Sequence, residues 1–446
     1  MVTNQFSQSY NARALMKCSL PPMVMLVFMS LYQTMDGVFV SNLIGELGLT
    51  ALNIVYPFTS VVIAVSIMLA SGASAVVARN MGQGKAQEAK ENFTLVIIAG
   101  LVLSLVITVL GAWYIEDIIW FLGATPRIYE MCYDYLIVIV WSTPLAVLQL
   151  LFQTFFVTAA KPKLGLLFTV LGGAANIVLD YLFLMVFPMG IQGAALATAV
   201  GYSFLALFGL YYFSFHRKGQ LYLVRPKLRW RVLRDTCING ISEMINNLAV
   251  AVTTLIFNLV GIRYLREEGI AAISIVLYAQ FVMTSVFMGY AAGVAPIFSY
   301  KYGAEDHSQL QRLFRISILF VGGLSVVTFL LAFPLARPIG LVFAANNGYV
   351  LDLTVRGFRI FALSFLFTGL NIFASALFTA FSNGAVSGLL SFLRTFVLLS
   401  VALVALPLMI GADGIWLAVP AAEGLALAAS VLYLRKYRKV YHYGRE

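Results

Sequence analysis

"GASAVVARNMGQGKAQEA", residues 72–89, and "GVAPIFSYKYGAEDHSQL", residues 293–310, stand 221 positions apart and read as two versions of one segment. Each is a run of small and apolar residues that closes on a glycine, Gly82 or Gly303, and then turns polar. The same shift carries "ALNIV" from Ala51 onto "AISIV" from Ala272, and "GAALAT" from Gly193 onto "GIWLAV" from Gly414. Three separated matches under one gap-free shift mark an internal repeat, the feature that governs any further reading of such a chain.

What repeats is a set of membrane helices. The chain has 446 residues, 61% hydrophobic and 11% charged, with a mean hydropathy of +0.91. Soluble domains carry about 25% charged residues, so this chain is built for lipid. Apolar runs long enough to cross a hydrocarbon core of about 30 Å recur throughout. They predict twelve helices near residues 19–43, 49–77, 93–115, 130–159, 164–187, 191–214, 237–261, 271–297, 313–335, 355–381, 385–409 and 414–435. Each half holds six, an even number, so both halves enter the membrane from the same side. The expected fold is all-α and integral to the membrane: two six-helix lobes related by a pseudo-two-fold axis along the membrane normal, as in some secondary transporters. The lobes are residues 1–215 and 237–446, the second ending in a basic tail. Between them lies a basic linker, residues 216–236, with a helix-breaking Gly219 and Pro226. A cleft between two such lobes is where a substrate would bind.

The net charge of +10 does not point to nucleic acid. With the N-terminus placed in the cytoplasm, the inner side collects Arg13, Lys17, Arg79, Lys85, Lys90, Lys161, Lys163, the cluster Arg217–Arg234, Lys301, Arg312, Arg315 and the tail. The outer side keeps Arg127, Arg263, Arg266, Arg337, Arg356 and Arg359. That asymmetry is the positive-inside rule, with both termini cytoplasmic in a prokaryotic inner membrane. The first apolar run is long and lacks a small-residue cleavage site, so it reads as a retained helix. Cys18, Cys132 and Cys237 have no metal-ligand spacing and imply no disulfide.

Several chemistries are excluded. There is no GxxxxGK[ST] loop for nucleotide hydrolysis. His216, His307 and His442 fall in loops or the tail, no nucleophile–base set or metal cluster lies within the apolar runs, and no cofactor is implied. The chain is not an enzyme, and nothing in it resembles a selectivity filter. The remaining energy source is an ion gradient or the substrate's own gradient.

Charges near the bilayer centre cost roughly 3 kcal/mol or more and mark function. The deep ones are Asp36, Asp180, Glu243, Arg394 and Glu423. Asp36 lies in "LYQTMDGVFVSN" on helix one. In "GGAANIVLDYLF", residues 172–183, Asn176 and Asp180 stand one turn apart on the same face of helix five. Thr198 lies in "GAALATAVG" on helix six. Oxygens of Asp36, Asn176, Asp180 and Thr198 would suit a hard monovalent cation such as Na⁺, and two nearby carboxylates would equally hold and release a proton. The 221 shift places Phe257, Val397 and Val401 opposite Asp36, Asn176 and Asp180, so only the first lobe keeps the acids. Tyr32, Gln33, Glu243, Asn247, Gln280, Met283 and Asn371 are candidates for lining the cleft, with Glu243 opening helix seven. Arg394 and Glu423 are expected to form a structural ion pair on helices eleven and twelve.

The chain resembles the multidrug and toxic compound extrusion (MATE) family, and its details are similar to the DinF-like branch. The segments that carry the likeness include "LYQTMDGVFVSNLIGELGLTALNIVYP", "LGGAANIVLDYLF", "FALSFLFTGLNIFASALFTAFSN" and "GVAPIFSYKYGAEDHSQLQRLFR". The resemblance implies export of amphipathic, often cationic organic compounds in exchange for Na⁺ or H⁺ by alternating access, and the two fused lobes make a monomer sufficient. It carries the coupling roles onto Asp36, Asn176, Asp180 and Thr198. Another branch uses acids on helices seven and ten, where this chain offers Glu243 and the neutral Asn371. Two further departures are Ala295 and Lys301, where the family commonly has Gln and Asn. The alternative is a flippase for lipid-linked oligosaccharide, whose cleft would need deep cations; only Arg394 qualifies.

Overall fold

A computed structural model describes residues 8–44, 46–344 and 347–444, and within them the side chains outside 33–42, 46, 49, 251, 255, 258, 262 and 266–268. The structure is 87% helix without strands among the described residues. Among the described residues, twelve stretches are long and apolar enough to cross a membrane, labelled α1–α12 in chain order. They are Ala12–Tyr32, Thr50–Gly82, Ala86–Trp113, Tyr129–Thr158, Pro162–Val186, Gly190–Phe215, Trp230–Leu265, Gly269–Gly303, His307–Ala344, Gly348–Ala380, Gly384–Ile410 and Asp413–Tyr437. Helical backbone continues past α1 to Leu43.

Two compact units result. One holds residues 24–240, the other residues 9–23 and 241–446. The first turns of α1 therefore pack within the second unit and those of α7 within the first. Glycines make both placements possible. A Cβ on Gly72 of α2 would run into the Thr236 carbonyl of α7. In the second unit, a Cβ on Gly293 of α8 would lie 2.9 Å from Ser19 Cα of α1. Close helix approach through small residues is how membrane helices associate when lipid removes the hydrophobic drive.

The repeat is legible in the backbone hydrogen bonds. α2 ends with Lys85 N–H donating to the Asn80 carbonyl (3.0 Å) and Gly84 N–H to Met81 (3.2 Å). α8 ends with Asp306 N–H donating to Lys301 (3.1 Å) and Glu305 N–H to Tyr302 (3.2 Å), 221 positions on. Both are Schellman caps, with φ of 75° at Gly84 and 55° at Glu305. The caps that end α4 and α10 match at a shift of 222: Lys161 N–H to Phe156 (2.7 Å) and Asn383 N–H to Phe378 (2.8 Å). Gly190 and Gly411, both with positive φ, restore 221. A single gap-free shift therefore does not run the length of the chain. At 222, Leu398 and Ala402 stand opposite Asn176 and Asp180, in place of Val397 and Val401; both are apolar, so the asymmetry survives.

α7 begins at Trp230, about two turns before the expected start, because hydropathy stops at the charges of "WRVLRDT" while helix formation does not. Glu243 consequently sits well inside α7 rather than opening it. Nor is the basic linker loose. Leu223 N–H donates to the Phe213 carbonyl (2.8 Å) and Val224 N–H to Thr94 Oγ1 (3.1 Å). Lys90 Nζ meets the Tyr222 hydroxyl at 2.9 Å. Glu91 of α3 accepts Lys227 Nζ and Arg229 Nη2, each at 3.1 Å.

Candidate functional site

The site in the first unit is built on a glycine crossing. α5 and α6 meet where a Cβ on Gly172 would lie 2.5 Å from the Gly201 carbonyl, and one on Gly201 3.1 Å from the Gly172 carbonyl. On the next residue, a Cβ at Gly173 would lie 2.6 Å from the Phe28 ring and 3.1 Å from Tyr32, so α1 presses on the adjoining face of α5. The adjacent glycines of "GGAANIVLDYLF" thus bring two different helices against α5. One turn beyond Gly172, Asn176 Nδ2 donates to Thr198 Oγ1 over 3.5 Å, a long hydrogen bond. Asn176 is 3% exposed and Asp180, a further turn on, is fully buried.

A small cavity opens at this crossing, lined by Tyr32, Gln149, Thr169, Asn176, Thr198 and Tyr202 together with Gly172, Gly173 and Gly201. It has room for about one water-sized particle, the scale of a dehydrated cation or a water and far below that of an organic substrate. Thr169 Oγ1 faces the interior without a hydrogen-bond partner, an oxygen available to such an occupant. Directly beyond Asp180, α5 changes to a π-helical turn, Leu182–Val186, an irregularity frequent at functional sites.

The structure brings Asn176 and Thr198 together across α5 and α6, and Asp180 lies buried one turn farther along α5. Asp36 and Gln33 lie outside the residues whose side chains are described. Tyr32, expected at a substrate cleft, lines the small cavity. Gln149, Thr169 and Tyr202 were not singled out from sequence. Gln149, a buried amide in the apolar run "PLAVLQLLFQTFF" of α4, carried a signal that could have found it.

The remaining residues belong to the second unit. Met283 packs beside its apolar core, which includes Phe358, Phe365 and Trp416. Gln280 gives its carbonyl to Thr284 Oγ1 at 2.8 Å, and Asn247 Nδ2 donates to the Glu243 carbonyl at 2.9 Å. Asn371 is 2% exposed and committed to α12: its Nδ2 donates to Glu423 Oε2 (2.7 Å) and to the Glu423 carbonyl (2.9 Å), while Oδ1 accepts from Ser430 (2.9 Å). Arg394 Nη1 lies 3.9 Å from Glu423 Oε1, and its Nη2 donates to Asn246 Oδ1 at 3.4 Å. At the end of α8, Lys301 is 3% exposed and pairs with Asp306 at 3.0 Å. Burial would raise the Asp306 carboxyl, but hydrogen bonds from Lys301, the Gln309 N–H and the Ser308 hydroxyl hold it below its ordinary value.

Twelve spans in two repeated units, with an ion-sized polar cavity inside one of them, define a secondary-transporter architecture. Comparison with known proteins agrees. The MatE family model matches twice, over residues 21–182 and 244–405, and the chain belongs to that family. It is 22% identical over 374 residues to the multidrug export protein MepA of Staphylococcus aureus, covering 82% of both chains. MepA of Staphylococcus saprophyticus is 22% identical over 376 residues, again with 82% of both covered. Among solved structures, an outward-facing multidrug resistance MATE transporter superposes with a TM-score of 0.94 at 20% identity. A transporter of the MOP superfamily from Pyrococcus furiosus gives 0.92 at 21%. In both cases 99% of each chain is covered. These relatives are transporters, not enzymes.

Proposed function

We propose that the protein is a secondary active antiporter that exports amphipathic, often cationic organic compounds in exchange for Na⁺ or H⁺ by alternating access. The observation that carries this reading is the first-unit cavity. Asn176, Thr198 and Thr169 supply oxygens around a space fit for one cation, with the buried carboxyl of Asp180 a turn away. Asp36 is a further member by sequence. Na⁺ would be held by these oxygens directly, whereas H⁺ would reside on a carboxyl. The export of drugs by MepA, named for that activity, supports the substrate class. The basic residues favour an inner-membrane protein with both termini cytoplasmic, acting as a monomer with lipid as its surroundings. The flippase reading is less well supported, because Arg394 is engaged by Glu423 and Asn246.

Occupancy tests the site without a known substrate. An ion that binds only the folded protein raises its stability. Thermal unfolding of purified protein should shift with Na⁺ or with pH, and Asn176→Leu and Thr198→Val should lose most of that shift. Equal shifts in wild type and both variants would count against the site.

A further inference from the structure

We propose that the start of α7 is a binding site for an anionic phospholipid, its phosphate held by Arg231 and Arg234 and its glycerol and upper acyl chains laid against Trp230 and Leu233. This site is separate from the ion exchange proposed for the first unit, and neither requires the other.

Its shape is the first observation. An open cavity of about 680 Å³ lies over the first two turns of α7, lined by Trp230, Arg231, Leu233, Arg234 and Cys237. That volume is within the roughly 300–1,000 Å³ of small-ligand clefts, and all five residues belong to the first unit. Trp230, Leu233 and Cys237 stand at i, i+3 and i+7 and form one apolar stripe, with Arg231 and Arg234 three apart beside it. The adjoining face of α7 is already used. There Gly72 of α2 meets the Thr236 carbonyl, and Gly240 meets the Met68 carbonyl of α2. α2 therefore fixes the helix while the stripe stays open, with Trp230 73% exposed.

Charge is the second observation, because the cations of this segment divide into two sets. Lys227 and Arg229 are committed to Glu91, and Arg229 also lies 3.6 Å from Glu88. Arg231 is exposed and has no partner among the described residues. Arg234 meets its own neighbour Asp235 at 3.3 Å, an exposed pair that holds it weakly. The cavity is thus rimmed by two available guanidinium groups, whose forks match phosphate oxygens. An organic cation would be repelled by the same pair.

Placement selects a lipid over free phosphate. The membrane span begins at Trp230, and indole rings favour the boundary between headgroups and acyl chains. A free phosphate would leave Trp230 and Leu233 uncovered, whereas a phospholipid covers both. With the orientation proposed above, this is the cytoplasmic leaflet, whose anionic lipids attract basic residues beside a span.

Full-length protein in neutral detergent, titrated with phosphatidylglycerol or phosphatidylcholine carrying brominated acyl chains, tests this by tryptophan quenching. Each background is measured with and without Trp230→Phe, so that the difference reports Trp230 alone. Phosphatidylglycerol should quench Trp230 at lower concentration than phosphatidylcholine, and raised salt should remove that preference. Arg231→Gln with Arg234→Gln should weaken the phosphatidylglycerol response about tenfold or more and leave the phosphatidylcholine response unchanged. Arg435→Gln with Lys436→Gln, which removes two exposed cations from the end of α12, should respond as wild type. Excess glycerol phosphate should not displace the lipid. Equal quenching by the two lipids, equal losses in the two double variants, or displacement by glycerol phosphate would each overturn the proposal.

Discussion

Gly172 decides how near Asn176 comes to Thr198. Any side chain there would strike the Gly201 carbonyl, so Gly172→Ala must push α6 away from α5. Overpacking of this kind costs about 1–3 kcal/mol, and the cavity should lose its ion response as well, both measurable in one thermal unfolding series. Asp306 gives a pH-dependent contrast. Its carboxyl is held below its ordinary value, so its contribution is complete above that value and fades as pH falls through the lowered one. Its side chain is 32% exposed, which limits the effect to about 0.5–1 kcal/mol. Asp306→Asn should therefore melt below wild type near neutrality, and the two curves should converge in acid. Asn176, Asp180 and Thr198 were legible in sequence because polar groups stand out in apolar helices. Thr169 and Tyr202 were not, since hydroxyls are ordinary in such helices and only packing shows which ones face a cavity.

Helix ends and linkers follow different physics from helix centres. The apolar runs located all twelve spans, because the bilayer sets their length. They could not show that α7 starts at Trp230 or that the linker is bonded to α3, since ion pairs and amphipathic turns leave no hydropathy signal. Glu91, with its side chain 6% exposed between Lys227 and Arg229, is the centre of that attachment. Glu91→Ala should free the segment and lower the stability of the first unit. Limited trypsin digestion reads this directly: cleavage at Arg225, Lys227 and Arg229 should be slow in wild type and fast in the variant.

For the molecule as a whole, duplication supplies the frame, and we propose that the asymmetry of the acids supplies the coupling. The paired Schellman caps show two halves folded alike to the level of single hydrogen bonds. The acids break that symmetry, with apolar Leu398 and Ala402 opposite Asn176 and Asp180. Arg394 and Glu423 likewise have no charged counterparts: a shift of 222 sets Gly172 opposite Arg394, and one of 221 sets Tyr202 opposite Glu423. The repeat could be read from sequence because its glycine turns recur at nearly constant spacing. Its single-residue slip could not, because insertions within helices leave composition unchanged. We propose that ion exchange in the first unit drives export. Proteoliposomes with DNA trapped inside, to report ethidium entry by fluorescence, test it under an imposed Na⁺ or H⁺ gradient. Wild type should move ethidium under one of the two gradients, and folded Asp180→Asn should not. Equal gradient-driven transport by wild type and Asp180→Asn would show that the first-unit acid does not couple export.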